Sequence, residues 1–137
     1  MFLLDTNVVS ELRRPEKADP GVIRWATALA PERLYISAIT VLEIEWGALR
    51  IARRDAVQGA MLRDWIEMRL LPSFAGRILP VDAAVVKLCA PMHVPDPMPI
   101  YDALIAATAL VRGMRVATRD VKDFASMGVK IVNPFDP

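Results

Sequence analysis

Short apolar segments alternate with helical stretches along this chain of 137 residues, and that alternation constrains its fold most strongly. Strands that are apolar on both faces are typical of parallel sheets, which helices cover on both sides. The pattern therefore predicts an α/β fold with a mainly parallel central sheet covered by helices on both faces. The predicted strands are residues 2–4, 34–37, 78–79, 115–118 and 129–132.

Capping residues and helix breakers mark the predicted helices between these strands. Asp19 precedes Pro20, which is the order of an N-cap and a first helical residue. Pro72 should end one helix, and Gly113 should close another. The predicted helices are residues 20 to about 31, 38–53, 55–71, 82–89 and 101–111, with a proline-broken loop over 90–99 and a short helix after Asp120.

Composition bounds the size and class of the protein. A length of 137 residues is that of one domain, so we expect residues 1–137 to form a single domain. Hydrophobic residues make up 54% of the chain, which excludes intrinsic disorder. A net charge of only +1 means that any contact with nucleic acid must come from a local basic patch.

The N-terminus and the cysteine usage bear on location. The N-terminal sequence MFLLD has no basic region before its apolar run, which is unlike a signal peptide, and the uncharged apolar runs are shorter than the ~20 residues that span a bilayer. Cys89 is the only cysteine, which excludes an internal disulfide and a cysteine-based metal site. We expect a soluble protein of the reducing cytoplasm, with no membrane contact.

Two acids closely follow predicted strands. Asp5 comes after residues 2–4, and Asp120 comes after residues 115–118. In a parallel sheet these positions meet at one edge, which is where ligands bind. Helix capping is the alternative for both, because Asp is a favoured N-cap and Asp120 with Asp123 resembles a capping box. Position alone leaves both alternatives open.

Two further acids lie on predicted helices. Asp102 begins an Ala-rich helix, where the helix dipole alone would favour an acid. Glu43 and Glu45 share a helix that is apolar on nearly all sides, which predicts a largely buried helix. The two glutamates face opposite sides, so both cannot enter one site. The distribution of apolar residues around the helix does not indicate which of the two glutamates enters the site.

A cluster of carboxylates with no cation nearby repels itself unless a hard divalent ion neutralises it. An all-oxygen ligand set favours Mg²⁺ or Mn²⁺ over zinc, and acid-only sites of this kind perform metal-assisted phosphoryl chemistry. The chain has no Walker A, GxGxxG, GxSxG or HExxH motif. His93, the only histidine, is expected on the surface, and Cys89 is expected in the core.

Three motifs occur in order: LDTNVVSEL at the start, TVLEIEWGALR in the middle and DALIAATALVRGMRVATRDVKDF near the end, with VNPF close to the C-terminus. Together they resemble a PIN-domain ribonuclease and, more narrowly, a VapC or FitB-type toxin of a type II toxin–antitoxin pair. The resemblance covers essentially the whole chain. It implies a PIN-like three-layer α/β fold.

The resemblance also implies a role for each matched residue. Asp5, Glu43 and Asp102 match the family's three core metal-binding acids, and Asp120 matches the fourth position, where the family accepts Asp or Asn. The match to E-x-x-x-G selects Glu43 over Glu45. The remaining matched positions are supporting or structural ones: Thr6, Asn7, Thr118 and Asp123.

The implied biology is that of an Mg²⁺-dependent endoribonuclease in which Mn²⁺ can substitute. The resemblance implies a homodimer that a cognate antitoxin holds inactive by wrapping the toxin and presenting an Arg to its acidic site. Arg119, beside Asp120, is predicted either to reach a phosphate of the RNA substrate or to be an ordinary ion-pairing surface residue. Residues 54–98 carry no matched motif, so the sequence does not predict the choice of RNA.

Three alternative classes fit the pattern less well. A receiver-like regulatory domain needs an acidic pair after the first strand, whereas Asp5 stands there alone. A haloacid-dehalogenase-like phosphatase needs a second Asp two residues later, where this chain has Asn7. A PIN-like RNA-binding module that has lost catalysis is the third alternative, and the presence of all four acids gives it no support.

Overall fold

Five parallel strands form one sheet in the computed structural model, which describes residues 1–135. The strands are β1 (Phe2–Leu4), β2 (Leu34–Ser37), β3 (Ile78–Leu79), β4 (Arg115–Ala117) and β5 (Ile131–Val132). Their order across the sheet is β3-β2-β1-β4-β5, and every neighbouring pair is parallel, so the predicted parallel sheet is confirmed. Residues 136 and 137, the end of the predicted single domain, lie outside the described residues.

The order of the strands reverses beside β1. β2 and β3 extend the sheet on one side of β1, whereas β4 and β5 extend it on the other. β1 pairs with β4 in a register that aligns Leu4 with Ala117, and the Asp5 N–H donates to the Ala117 carbonyl over 2.9 Å. In open α/β sheets a crevice lies at the carboxyl ends of the strands where the order reverses. The residues just after β1 and β4 therefore lie side by side at this crevice.

Helices cover both faces of the sheet, so the predicted three layers are confirmed. Leu3 and Val116 pack into a core shared with the C-terminal helices, whereas Leu4 and Ala117 pack into a core shared with the N-terminal helices. Among residues 1–135, none of the helices combines the length and the apolar character that crossing a membrane requires. The helices are α1 (Thr6–Leu12), α2 (Pro20–Thr27), α3 (Ala38–Arg54), α4 (Ala56–Trp65), α5 (Leu71–Ser73), α6 (Ala83–Cys89), α7 (Ile100–Arg112) and α8 (Val121–Ala125), with 3-10 turns over Pro15–Lys17, Pro31–Arg33 and Ala90–His93.

The helical stretch after residue 55 runs further than the sequence predicts. The prediction ended it before Pro72, but α4 continues through a π-helical turn, Ile66–Leu70, into α5, which contains this proline. The Leu71 N–H donates to the carbonyl of Ile66, five residues back. This wider turn changes the helical register directly before Pro72, which has no N–H to donate. The predicted boundary is wrong because the π-helical turn accommodates the proline.

Helix α3 is buried along one stripe only, so the prediction of a largely buried helix is wrong. One side of α3 packs towards the sheet, and its C-terminal part packs against α4, where Gly59 lies against the backbone of Ala52. The side chains on the opposite side lie on the surface, and we call them the α3 strip. The buried residues are Thr40, Ile44 and Ala48, and the α3 strip consists of Leu42 (44% exposed), Trp46 (48%) and Leu49 (49%).

Candidate active site

Asp5 is the buried centre of the acidic edge at the carboxyl ends of β1 and β4. Only 4% of its surface is exposed. Its Oδ1 accepts the Thr6 N–H over 2.8 Å, and its Oδ2 accepts the Thr118 hydroxyl over 2.8 Å and the Asn7 amide over 3.3 Å. Burial raises the pKa of Asp5 above its ordinary 3.8, and the bonds from Thr118 and Thr6 oppose that rise. The side chain is therefore fixed in place by donors that favour its charged form.

Asp120 reaches the same edge from the end of β4. The Asn7 amide nitrogen lies 3.4 Å from Asp120 Oδ2 and 3.3 Å from the Thr118 hydroxyl, and that hydroxyl accepts the Asp120 N–H over 2.9 Å. The Asp120 side chain forms no capping bond at the start of α8, so the capping interpretation is wrong for this residue. Its carboxylate is exposed and is held beside Asp5 through Asn7 and Thr118.

Glu43 enters the site from α3, across the crevice from the end of β4. Its Oε1 accepts the hydroxyl of Thr6 over 2.8 Å, and the Thr6 hydroxyl also lies 3.5 Å from that of Thr40. Partial burial raises the pKa of Glu43, the bond from Thr6 lowers it, and repulsion by Asp5 raises it further. Thr6 thus links the end of β1 to α3, because its backbone N–H holds Asp5 while its hydroxyl holds Glu43.

Asp102, in the first turn of α7, shows most clearly that the acids form one electrostatic cluster. Its pKa is raised from 3.8 to about 6, first by burial and then by the charges of four other acids. All four of these charges are negative, and they belong to Asp5, Glu43, Asp120 and Asp123. Asp123, a structural position by resemblance, therefore adds to the negative potential. The cluster destabilises its own charged form, as a cation-binding site does when no cation is bound.

The acids do not form a closed cage in these side-chain conformations. Within residues 1–135, no three acidic, histidine or cysteine side chains converge as a ready-made ligand set for one ion. They nevertheless lie close enough for the charges of neighbouring acids to raise the pKa of Asp5, Glu43 and Asp102, in each case after the larger effect of burial. Mg²⁺ keeps several waters and is commonly held by one or two carboxylates, whereas structural zinc sites are closed and rich in sulfur or imidazole. The open, all-carboxylate donor set therefore fits a hydrated hard divalent cation.

Arg119 lies between Thr118 and Asp120, and its guanidinium packs on an aromatic ring. The guanidinium carbon is 4.8 Å from the ring centroid of Phe135, and the Arg119 N–H donates to Asn7 Oδ1 over 3.4 Å. Arg119 is exposed, and its backbone lies beside Asn7 at the acidic edge. Phe135 was missed by the reasoning from sequence, and its only signal was its place in the C-terminal VNPF.

His93 is half-buried rather than fully exposed on the surface. Its Nδ1 accepts the Met98 N–H over 3.0 Å, and its Nε2 lies 3.6 Å from the sulfur of Cys89. These contacts join the end of α6 to the segment that leads into α7. Cys89 is buried, as expected for a core residue. Cys89 and His93 therefore have a structural role, which is to hold these two segments together.

A well-formed groove lies apart from the acidic edge. It has a volume of about 610 Å³ and lies between the end of α1 and the π-helical turn. Apolar side chains form most of its wall, with Arg13, Asp64 and Arg69 among them, and none of the four acids lines it. The chemistry of this chain is therefore to be sought at the open edge of the sheet, where the carboxylates are.

Comparison with known proteins decides the family. The sequence pattern that defines the PIN domain matches residues 2–130. The chain belongs to the PIN domain family. This PIN domain is 38% identical over 144 residues to a protein of Sinorhizobium fredii named VapC ribonuclease Y4jK, and the alignment covers all of this chain and 99% of the relative.

Solved structures show the same likeness. The crystal structure of FitAcB from Neisseria gonorrhoeae matches this PIN domain with a TM-score of 0.90 and 37% identity, over the full length of both chains. A toxin–antitoxin complex from Klebsiella pneumoniae matches with a TM-score of 0.70 and 25% identity, over 98% of each chain. The resemblance to VapC and FitB-type PIN domains that the motifs indicated is confirmed.

Proposed function

We propose that this PIN domain is a metal-dependent endoribonuclease, the toxin of a toxin–antitoxin pair, which hydrolyses RNA phosphodiester bonds in the cytoplasm. One observation carries the proposal: the acids meet at one edge of the sheet, where burial first and then the charges of four neighbouring acids raise the pKa of Asp102 to about 6, with no positive charge among those four. Family membership and the likeness to a protein named VapC ribonuclease support the choice of an RNA substrate. A purely structural cluster of carboxylates would be expected to include arginine or lysine partners.

The proposed metal ligands are Asp5, Glu43, Asp102 and Asp120, and the proposed ion is Mg²⁺, for which Mn²⁺ can substitute. When bound, such an ion lowers the pKa of a bound water and stabilises the leaving oxygen of the phosphodiester. The ion would also remove the mutual repulsion of the carboxylates. Its binding should therefore stabilise the fold as well as permit the reaction.

The chain's own contribution is to orient the ligands before the ion arrives. Thr118 and Asn7 fix Oδ2 of Asp5, and Thr6 fixes both Oδ1 of Asp5 and Oε1 of Glu43. Each of these donors favours the charged form of the carboxylate that it holds. We therefore assign Thr6, Asn7 and Thr118 as supporting residues that keep the ligands ionised and aligned.

Arg119 is the proposed contact to the RNA strand. Arg119 is exposed, directly precedes the proposed ligand Asp120, and packs its guanidinium on the Phe135 ring. Arginine binds phosphate through two parallel N–H donors. A phosphate of the bound strand is therefore its proposed partner.

We also propose that the protein forms a homodimer through the α3 strip. The exposed Leu42, Trp46 and Leu49 lie on one side of α3, and Tyr101 packs edge-on against Trp46 with the ring centroids 6.3 Å apart. Clustered apolar side chains on a surface are typical of an interface between chains. Trp46→Glu should shift the protein to a monomer in sedimentation measurements, whereas an unchanged dimer would place the interface elsewhere.

The proposed antitoxin is a protein that supplies positive charge to the acidic edge. The likeness to a toxin–antitoxin complex supports such a partner. An arginine presented to the four carboxylates would satisfy them electrostatically in place of the ion. The partner and the metal should then compete, so that added Mn²⁺ weakens the binding of the partner.

The direct test is to purify the chain free of any partner and incubate it with total RNA in Mg²⁺, in Mn²⁺ or in EDTA. We expect cleavage with either metal and none with EDTA. Asp5→Asn is the matched variant, because its amide oxygen can still accept the Thr6 N–H while the charge is lost. Cleavage in EDTA, or full activity in Asp5→Asn, would contradict the proposal. RNA binding without cleavage would favour a PIN-like RNA-binding module instead.

A further inference from the structure

The C-terminal turn, Asn133–Phe135, is built against the acidic edge. The Thr118 N–H donates to the carbonyl of Val132 over 3.0 Å, which places the turn directly after the strand that flanks Thr118. The turn is closed by Asn133, whose Oδ1 accepts the Phe135 N–H over 3.0 Å. Its position is therefore set by the sheet and by its own hydrogen bond.

Helix α2 fixes the other side of this turn. A Cβ added at Gly21 would lie only 2.8 Å from the carbonyl oxygen of Pro134. The backbone of the turn therefore packs directly on the start of α2, and Phe135 packs at the border of the N-terminal core. The ring of Phe135 is thus part of the fold and does not depend on Arg119 for its place.

Arg119 is held at two points, by its backbone and by its head group. Its N–H donates to Asn7 Oδ1, and its guanidinium lies 4.8 Å from the centroid of the Phe135 ring. The guanidinium carries five N–H donors and the ring lies on one side of it, so the N–H groups turned away from the ring stay available to an acceptor. An exposed arginine that is not stacked would instead lose considerable rotamer entropy on binding. The ring therefore preorganises the head group.

We propose that Phe135 is a positioning residue of the RNA site. It holds the Arg119 guanidinium against the C-terminal turn, on the residue that directly precedes the proposed ligand Asp120, where it meets a phosphate of an RNA strand lying across the acidic edge. The C-terminal turn then belongs to the substrate site, although it contributes no acid. This inference rests on the proposed function, because it assumes that the strand lies across the acidic edge.

Variants of the ring and of the arginine test this assignment with a labelled single-stranded RNA of mixed sequence, bound in EDTA and cleaved in Mg²⁺. Phe135→Leu keeps an apolar side chain but removes the ring. It should weaken RNA binding and raise KM by about 2–5-fold while kcat stays unchanged. This factor corresponds to the free energy of an exposed cation–π contact. Arg119→Ala should weaken binding by about tenfold or more. The double variant should be no weaker than Arg119→Ala, and Phe135→Tyr should restore wild-type affinity.

A second stacked arginine provides the matched control. Arg33 packs on Phe2 at 5.3 Å, at the amino ends of the strands and on the opposite edge of the sheet. Arg33→Ala removes the same charge and the same kind of contact, and should leave RNA affinity unchanged. If Phe135→Leu lowers the melting temperature too far for use, Arg119→Lys leaves the turn intact, and its KM should also rise because lysine lacks the planar head group.

Unchanged RNA affinity in Phe135→Leu would overturn the inference. So would a loss of affinity in the double variant that equals the product of the losses in the two single variants, because the two residues would then act independently. If the wild type fails to cleave in Mg²⁺ but the binding series holds, the proposed function fails and the Arg119–Phe135 assignment stands. If the wild type cleaves RNA and the Arg119 and Phe135 variants bind RNA as tightly as the wild type, only the Arg119–Phe135 assignment fails. A wild type that neither binds nor cleaves the RNA contradicts both.

Discussion

Replacing Asp102 by asparagine should stabilise the metal-free protein at neutral pH while removing a proposed metal ligand. Asp102 is half-buried, and burial together with four neighbouring acids raises its pKa from 3.8 to about 6. Its charge therefore opposes folding when no cation is bound. Asparagine keeps the size of the side chain and has no charge to desolvate.

The size of the effect follows from the raised pKa. A rise from 3.8 to about 6 corresponds to at most about 3 kcal/mol of unfavourable free energy at neutral pH. Solvent screening of a half-exposed carboxylate reduces this to roughly 1.5 kcal/mol. Removing an acid from the first turn of α7 also forfeits a favourable interaction with the helix dipole, about 0.5 kcal/mol. The net gain of about 1 kcal/mol should raise the melting temperature by roughly 3–4 °C in a chain of this length.

The effect should depend on pH with a definite sign. The folded protein binds the Asp102 proton more tightly than the unfolded chain, so this stabilisation is complete below about pH 4 and is lost as the pH rises through about 6. In EDTA, the melting temperature of the wild type should therefore fall between about pH 4 and pH 7 more steeply than that of Asp102→Asn. Mn²⁺ should raise the wild-type melting temperature at pH 7.5 and have much less effect on the variant.

Glu45→Gln is the control for this series, because the charges that raise the pKa of Asp102 include Glu43 but not Glu45. It should leave both the pH slope and the response to Mn²⁺ unchanged. The reasoning is refuted if Asp102→Asn melts at or below the wild-type temperature at pH 7.5 in EDTA, or if its pH slope equals that of the wild type.

Two further predictions concern the frame around the acids and are checked by thermal melts. Thr118→Val leaves Asp5 without a hydroxyl donor and the Asp120 N–H without its acceptor, so it should cost about 2–3 kcal/mol and raise the pKa of Asp5 further. Thr118→Ser keeps the hydroxyl and loses only a buried methyl group, so it should cost about 1 kcal/mol. A melting temperature of Thr118→Val within about 2 °C of wild type would contradict this. Gly59→Ala should destabilise by about 1–3 kcal/mol because its Cβ would lie 2.5 Å from the Ala52 Cα, whereas Gly47→Ala, with nothing within 4 Å of the new methyl group, should stabilise α3 by about 0.5–1 kcal/mol. Equal shifts of the melting temperature in the two alanine variants would show that the close contact between α3 and α4 does not determine the effect of a methyl group at residue 59.

The acidic edge could be predicted from sequence because it follows from topology. Parallel strands bring their carboxyl ends to one edge, so Asp5 and Asp120 were expected at the same edge once both strands were assigned, and the pairing of β1 with β4 makes them neighbours. Each strand is a short apolar run, which local composition reveals. Helical motifs supplied Glu43 and Asp102, and the structure joins them to the same cluster through Thr6 and through charge.

The features that sequence did not reveal depend on contacts between distant segments. The contact between Arg119 and Phe135 joins residues whose spacing in the sequence fits no helix or strand periodicity. Phe135 also lies in a turn of only three residues. The α3 strip looked buried because its residues are apolar, but hydrophobicity does not state which side of a helix meets the sheet. Pro72 looked like a helix end, and the π-helical turn that accommodates it leaves no simple pattern.

Cleavage by Glu43→Gln and Glu45→Gln, compared in Mg²⁺ on the same RNA, tests the central claim most directly. Both variants remove one negative charge from α3 and keep the size of the side chain, but only Glu43 accepts the Thr6 hydroxyl and acts on Asp102. If the acids at this edge hold the ion, Glu43→Gln should lose cleavage and bind Mn²⁺ more weakly while remaining folded. Glu45→Gln should cleave at nearly the wild-type rate. Cleavage retained in Glu43→Gln and lost in Glu45→Gln would contradict the account, because the catalytic edge would then lie on the other side of α3.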